Sequence, residues 1–229
     1  MGLGALCLLA VGACAPTLAH PMRVKPGVML EVATLIHAPA GRTVDCNFEC
    51  VRSRPSANPP VPYGSIGWGA VVDDHVGLLV GLTMPGRSEL EGAAFDLGPR
   101  VFGVVTYQEP WGSIGLEADV GIFGAAPGVF AEARPWRDPW APRLGVFHRW
   151  WIPYVFREPR YSETTGLQLG GLYPAWDFGA RVTAGFLFVQ WSLTVETRGL
   201  RQQPIFVEGA DYSDQRHIVS FGVTTDVQP

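Results

Sequence analysis

Apolar and polar residues alternate through most of the chain beyond residue 26. In the stretch 113–122 every second residue is apolar, from Ile114 to Ile122, and the residues between them are Ser, Gly, Glu and Asp. A side-chain period of two is typical of a β-strand, and about ten such residues allow a tilted strand to cross a bilayer. The same alternation recurs in 66–72, 76–84 and 178–188. The pattern predicts a closed all-β barrel with one apolar and one polar face.

We predict about twelve antiparallel transmembrane strands, with ten or eight as alternative counts. Ten would result if Gly98-Pro99 were a kink and 177–199 a single bulged strand. The apolar positions change phase near Val189-Gln190, which predicts a two-residue turn or a bulge there. The predicted strands are 27–36, 63–73, 76–84, 89–97, 100–107, 111–123, 127–134, 142–152, 163–172, 177–189, 190–199 and 216–225.

In this alternation the chain resembles bacterial outer-membrane β-barrel proteins over nearly its whole mature length. The resemblance implies outer-membrane lipid and the barrel-assembly machinery as partners, with both termini periplasmic and the long loops external. The longest connections, 37–62, 135–141 and 200–215, follow predicted strands one, seven and eleven and are expected outside. Aromatic residues near predicted strand ends are expected to form interfacial girdles. Examples are Tyr63, Trp111, Trp150, Trp151, Tyr173 and Trp176.

Composition agrees with this class. Charged residues make up 17% of the 229 residues, below the roughly 25% of soluble domains. The 28 glycines and 20 prolines suit many tight turns. A formal net charge of −4 gives no reason to expect a nucleic-acid partner. The length fits one barrel domain, 20–229, behind a leader, 1–19.

The first residues indicate export to the outer membrane. An apolar run from Leu3 to Ala13 has the length and place of a secretory signal. It ends in Val11-Gly12-Ala13-Cys14, which resembles the bacterial lipobox and implies lipidation of Cys14 as an N-terminal anchor. Signal cleavage after Thr17-Leu18-Ala19 is the alternative.

Two cysteines, Cys46 and Cys50, remain beyond the leader. In an oxidising compartment this close pair predicts a disulfide. Free thiols are an alternative, and a metal site is another, for which His37 is the only nearby further ligand. We predict no metal and no cofactor.

No residue pattern predicts catalysis. His75 lies in a predicted turn with Asp73 and Asp74, and His148 shares the apolar face of its strand. His217 and Ser220 are three residues apart, which places them on opposite faces of a strand. We therefore predict a protein that is not an enzyme, with an outer-membrane lipid hydrolase as the weakest alternative.

Charged residues recur on the predicted inward face, and they decide between two functions. If the charges pair with each other, the barrel is a structural membrane anchor; if water fills it, an arginine-rich wall makes a narrow, anion-preferring pore for small solutes. A soluble periplasmic β-sandwich or lipocalin-like binding lipoprotein, with its apolar face inward, is the alternative. The predicted inward charges are Glu91, Glu117, Asp119, Glu132, Arg134, Arg143, Arg149, Arg181, Glu196 and Arg198.

Overall fold

The fold is a closed antiparallel β-barrel, as predicted. The computed structural model describes residues 19–39, 60–85, 99–121, 124–136, 138, 140–154, 160–161, 168–169, 175–196 and 214–225. Within these ranges no helix is long and apolar enough to span a bilayer.

The barrel strands are 9 to 13 residues long. They are β1 (Gly27–Pro39), β2 (Val61–Val72), β3 (Val76–Pro85), β4 (Arg100–Glu109), β5 (Gly112–Val120), β6 (Gly124–Ala133), β7 (Arg143–Pro153), β10 (Ala175–Ala184), β11 (Leu187–Glu196) and β12 (Asp214–Thr224). Two further strands, β8 (Arg160–Tyr161) and β9 (Gln168–Leu169), form a separate two-stranded sheet.

In the part of the chain that the structure describes, ten strands close the barrel, which is the alternative count and not the leading one of twelve. The reason differs from the one expected, because β10 and β11 are separate strands. The predicted strand 89–97 lies outside the described residues, and β3 pairs directly with β4. Similarly, β7 pairs directly with β10, and the only described part of the predicted strand 163–172 belongs to β9.

The two ends of the barrel differ in the length of their connections. At one end, here called the long-loop end, the chain passes through 40–60, 86–99, 121–123, 154–174 and 197–213. At the other, the short-turn end, it passes through 73–75, 110–111, 134–142 and 185–186, and both the start of β1 and the end of β12 lie there. The connection 135–141 was expected with the long loops, but with ten strands it falls at the short-turn end.

The hairpin between β10 and β11 turns earlier than predicted. Its turn is at Gly185 and Phe186, where Gly185 has a φ of +54°, and not at Val189-Gln190. Phe188 is therefore the first inward residue of β11, 3% exposed, whereas Leu187 and Val189 point outward. Phe186 points outward and Phe188 inward. Because both are apolar, the sequence does not show the change of phase between them.

Large apolar side chains cover the outer surface of the barrel, while polar and charged ones fill its interior. Outward residues such as Val80 and Leu116 are about three-fifths exposed, at 60% and 61%. Eight exposed aromatic residues lie towards the two ends: Tyr107, Trp111, Trp136, Trp140 and Phe186 at the short-turn end, and Trp150, Tyr154 and Trp176 at the long-loop end. Others, such as Trp68 and Trp191, lie further along the outer surface. Tyr63 and Trp151 were expected in these girdles but are buried inside, and Tyr173 lies outside the described residues.

Inward glycines make room for inward phenylalanine rings on the neighbouring strand. A Cβ added to any of four glycines would lie only 2.5–2.7 Å from the Cζ of its cross-strand partner. Such close contact is incompatible with a side chain, so each ring covers the backbone of its glycine. The pairs are Gly81 with Phe102, Gly115 with Phe130, Gly179 with Phe147, and Gly222 with Phe188.

Candidate functional site

The chain's own residues 19–26, here called the lumen segment, enter the barrel: residues 19–24 are buried in its interior, and Pro26 is exposed at its end. Its outermost part is fixed at the short-turn end, where Lys25 Nζ donates a hydrogen bond to the carbonyl of Thr225. Arg23 Nη1 donates to the carbonyl of Glu109, 2.9 Å away, at the end of β4. Residues before Arg23 lie deeper, so the segment extends from the short-turn rim into the lumen.

Side chains of the wall satisfy the backbone of the lumen segment. The amide N–H of Val24 donates to Gln108 Oε1 at 3.1 Å, and Gln108 Nε2 donates back to the Val24 carbonyl at 3.0 Å. Ser113 Oγ donates to the Met22 carbonyl at 2.6 Å. Buried backbone groups need partners of this kind, and here they come from side chains because the segment joins no sheet.

His20 is the most enclosed cationic side chain of the lumen segment, with 1% of it exposed. Its Nε2 lies 2.7 Å from Asp119 Oδ1, and its backbone N–H donates to Glu117 Oε2 at 3.3 Å. The imidazole is stacked on the ring of Phe102, with centroids 3.9 Å apart. Burial alone lowers the pKa of His20, but the charge and hydrogen bond of Asp119 and the charge of Glu117 outweigh it and raise that pKa above its ordinary value.

Ala19 continues the same contacts on the other side of the barrel. Its N–H donates to Gln190 Oε1 at 2.9 Å, and its carbonyl accepts a hydrogen bond from Arg181 Nη1 at 2.7 Å. Arg181 also pairs with Glu31 through Nη2. The lumen segment therefore links β5 to β10 and β11 across the interior.

Ion pairs occupy much of the remaining interior. Arg149 Nη2 lies 2.7 Å from Asp177 Oδ2, and its Nε lies 3.6 Å from Glu117 Oε1. Arg143 Nη1 lies 3.5 Å from Glu132 Oε1. Buried charges are tolerated only when they are paired or hydrated, and these pairs meet that need.

Phenylalanine rings support two of the paired guanidinium groups. Arg149 lies over Phe147 and Arg181 over Phe188, with the guanidinium carbons 4.8 and 3.9 Å from the ring centroids. Both rings belong to the glycine–phenylalanine pairs. The pairs therefore form flat apolar surfaces on which the interior cations rest.

Among the described residues, the buried charges of the barrel wall are slightly acidic in sum. Five carboxylates face four arginines, so the wall lacks the excess of positive charge that anion preference requires. The lumen segment supplies the cations: it contains His20, Arg23 and Lys25 and no acidic residue. The buried wall charges are Glu31, Glu117, Asp119, Glu132, Asp177, Arg100, Arg143, Arg149 and Arg181.

Five of the seven leading candidates for inward charge have described side chains, and all five are buried inside the barrel: Glu117, Asp119, Arg143, Arg149 and Arg181. Glu196 ends β11, but its side chain is outside the described part, as are Glu91, Arg198 and the three cysteines Cys14, Cys46 and Cys50. Glu132 is also buried, and Arg134 follows β6 and is partly exposed.

Three wall charges were missed in the sequence although two of them had a signal. Glu31 lies between the outward Leu30 and Val32, and Asp177 precedes the outward Phe178, so alternation places both inward. Arg100 precedes the outward Val101, but the buried Phe102 and Val104 are also apolar, so alternation is not clear at the start of its strand. The role of the lumen segment had no signal, because it follows neither strand nor helix periodicity.

The histidines give no arrangement for nucleophilic catalysis in the described ranges. His75 is half exposed in its turn, 3.3 Å from Glu109 Oε1, and His148 packs edge-on against Trp150 on the outer surface. His217 is partly exposed, whereas Ser220 is fully buried. The His20–Asp119 pair is enclosed by protein on every side. No group of three or more potential metal ligands occurs among the described residues.

No protein-family model matches the chain, and comparison with curated proteins gives no match. The fold class and the geometry of the lumen are therefore the basis for a proposed function.

Proposed function

We propose that the protein is an outer-membrane β-barrel whose lumen is closed by its own N-terminal segment and which serves as a structural membrane anchor. The main support is the direction in which the side chains point: large apolar side chains lie on the outer surface of the barrel, and paired charges lie inside it. A soluble binding barrel needs the opposite arrangement, since its apolar residues must leave water. A lipid environment accounts for an apolar outer band bordered by aromatic residues.

The anchor is favoured over the open pore that the sequence also suggested. His20, Met22 and Val24 are buried among wall side chains, and Arg143, Arg149 and Arg181 are each paired with a carboxylate. Among the described residues, such an interior leaves no continuous row of unpaired arginines for anions. The long connections gathered at one end suit a protein that presents loops on one side of a membrane.

Washing with alkaline carbonate and with urea tests this location. A Gram-negative host expressing the full chain should retain it in the outer-membrane fraction after both treatments. The unboiled protein should also migrate differently from the boiled protein in detergent gels, because the closed barrel resists unfolding. Quantitative release into the soluble fraction would contradict the proposal and favour the soluble binding barrel.

We further propose that residues 1–19 direct export and that Cys14 carries the lipid anchor. Replacing Cys14 with serine should block processing and leave a precursor of higher mass, measured by intact-mass spectrometry. An unchanged mature mass would instead indicate cleavage after Ala19. Either result leaves the location of the barrel to the membrane test above.

A further inference from the structure

We propose that the barrel wall is a binding site for a basic peptide, that the lumen segment is its tethered ligand, and that the vacated lumen conducts cations. The conduction part rests on the proposed membrane location, whereas the peptide-binding part does not. The inference is drawn from charge, hydrogen bonding and shape along residues 19–25.

The cationic residues of the segment meet acceptors on the wall, one of which is a carboxylate and two of which are backbone carbonyls. His20 meets Asp119, Arg23 the carbonyl of Glu109, and Lys25 the carbonyl of Thr225. The described wall without the segment has one buried carboxylate more than it has buried arginines. An acidic wall attracts basic ligands and favours cations in a water-filled passage.

Hydrogen bonding to the segment is of the kind that recognises a peptide backbone. Gln108 accepts a hydrogen bond from the backbone N–H of Val24 and donates one to its carbonyl, so it contacts both polar backbone groups of that residue. Ser113, Gln190 and Arg181 form hydrogen bonds with the backbone of Met22 and Ala19. Hydrogen bonds to the backbone hold a peptide largely independently of its sequence, while the cation acceptors select for basic residues.

Shape complementarity comes from wall glycines beside the segment. A Cβ at Gly77 would lie 2.6 Å from the Cβ of Val24, and one at Gly145 would overlap the sulfur of Met22. Gly69 likewise has no room for a side chain next to the backbone of Lys25. These wall glycines therefore leave room for the segment where it enters the barrel from the short-turn end.

Planar-bilayer recording of full-chain variants tests the proposal. The unmodified protein should show no conductance. A His20→Ala/Arg23→Ala variant, which loses the two interior cation contacts, should show channel steps with a reversal potential that indicates cation preference. A Glu132→Ala/Arg143→Ala variant is the control, because it removes a wall ion pair and leaves both segment cations in place; it should stay closed.

A synthetic peptide provides a second test of the proposal. The N-acetylated, C-amidated peptide corresponding to residues 19–26 should close the channels of the double variant, and a peptide with glutamate at the position of Arg23 should not. Binding of the labelled peptide to the detergent-solubilised variant, followed by fluorescence polarisation, needs no bilayer. Peptide binding without stable membrane insertion would support the binding site while the membrane location fails.

Three results would overturn the proposal: a double variant that migrates as a folded barrel but does not conduct, conduction with anion preference, or no response to the peptide. If the double variant does not fold, His20→Asn takes its place, since asparagine keeps a polar side chain but cannot carry a positive charge. The His20→Asn variant should show less channel activity than the double variant, and the same peptide should close its channels.

Discussion

At the scale of single residues, the glycine–phenylalanine pairs are a test of packing inside the barrel. Replacing Gly179 with alanine puts a Cβ in overlap with the carbonyl oxygen of Trp191 and 2.7 Å from Phe147 Cζ, and such overpacking costs about 1–3 kcal/mol. Urea unfolding in lipid or detergent should show this loss. Gly103→Ala is the matched control, because nothing lies within 4 Å of its added Cβ; an equal loss there would refute the packing explanation.

His20 should make stability depend on pH. The groups facing it are Asp119 and Glu117 on β5, Arg149 on β7 and the ring of Phe102 on β4. Because its pKa in the fold is raised above 6.5, its contribution is fully present below pH 6.5 and is lost as the pH rises through the folded-state pKa.

Thermal unfolding between pH 5 and pH 9 measures this contribution. The unmodified protein should exceed a His20→Gln variant most in stability at the acidic end, and the gap should narrow as the pH rises. A gap that stays constant over the range would mean that the imidazole charge contributes nothing.

The cysteine pair gives a prediction that depends on the sequence alone. Cys46 and Cys50 should be bonded to each other, so a thiol reagent should find no reactive cysteine among residues 20–229 of the unreduced, denatured protein. Reduction should expose two thiols. Labelling before reduction would indicate free thiols or a metal site.

For single residues, the alternation of apolar and polar positions predicted which face of the barrel a side chain lies on. It placed Glu117, Asp119, Arg149 and Arg181 on the inner face, but their partners could not be predicted. Arg149 meets Asp177 only because β7 and β10 are neighbours, although the sequence predicted a further strand, 163–172, between them. His20 reaches Asp119 across 99 residues of sequence, a contact made by a segment outside the sheet.

At the scale of elements, strands were predictable and turns much less so. A period of two extends through a strand whatever follows it, whereas a turn depends on one or two backbone conformations. Gly185 shows the difference: its φ of +54° starts the β10–β11 hairpin, but Phe186 and Phe188 continue the apolar period beyond it. The leading strand count exceeded the ten strands of the described barrel because β3 pairs directly with β4 and β7 directly with β10, and alternation along the chain does not show which strands pair.

Gly185 also gives the element-scale prediction. A left-handed backbone conformation costs a non-glycine residue about 1–2 kcal/mol, and an added Cβ would also overlap the ring of Trp140. Gly185→Ala should therefore lower the free energy of unfolding, measured by urea titration, by at least that amount. Gly27 is the control: its φ is +103°, but nothing lies within 4 Å of an added Cβ, so Gly27→Ala reports backbone strain without the ring contact.

At the scale of the whole molecule, the proposed membrane location predicts how outward charges act. Leu116 is 61% exposed in the middle of β5. Arginine there would be harmless in water but should cost about 2–4 kcal/mol near the middle of a bilayer. Refolding into lipid vesicles measures the difference, with Trp111→Arg at the short-turn rim as the control that should cost about 1 kcal/mol or less. Equal, small effects at both positions would argue for a soluble barrel.

The pairing of β1 with β12 has a consequence for how the molecule is made. Thr34 lies opposite Phe221 in this seam, so the barrel cannot close until almost the whole chain is available. Contacts so distant in sequence form slowly, and until then β1 and β12 both present unpaired edges to the surroundings. Residues 19–26 precede β1 directly, and the seam closes beside their anchor at Thr225. Assembly thus ends at the place where the lumen is sealed, and a chain arrested before β12 would be both unsealed and open to aggregation.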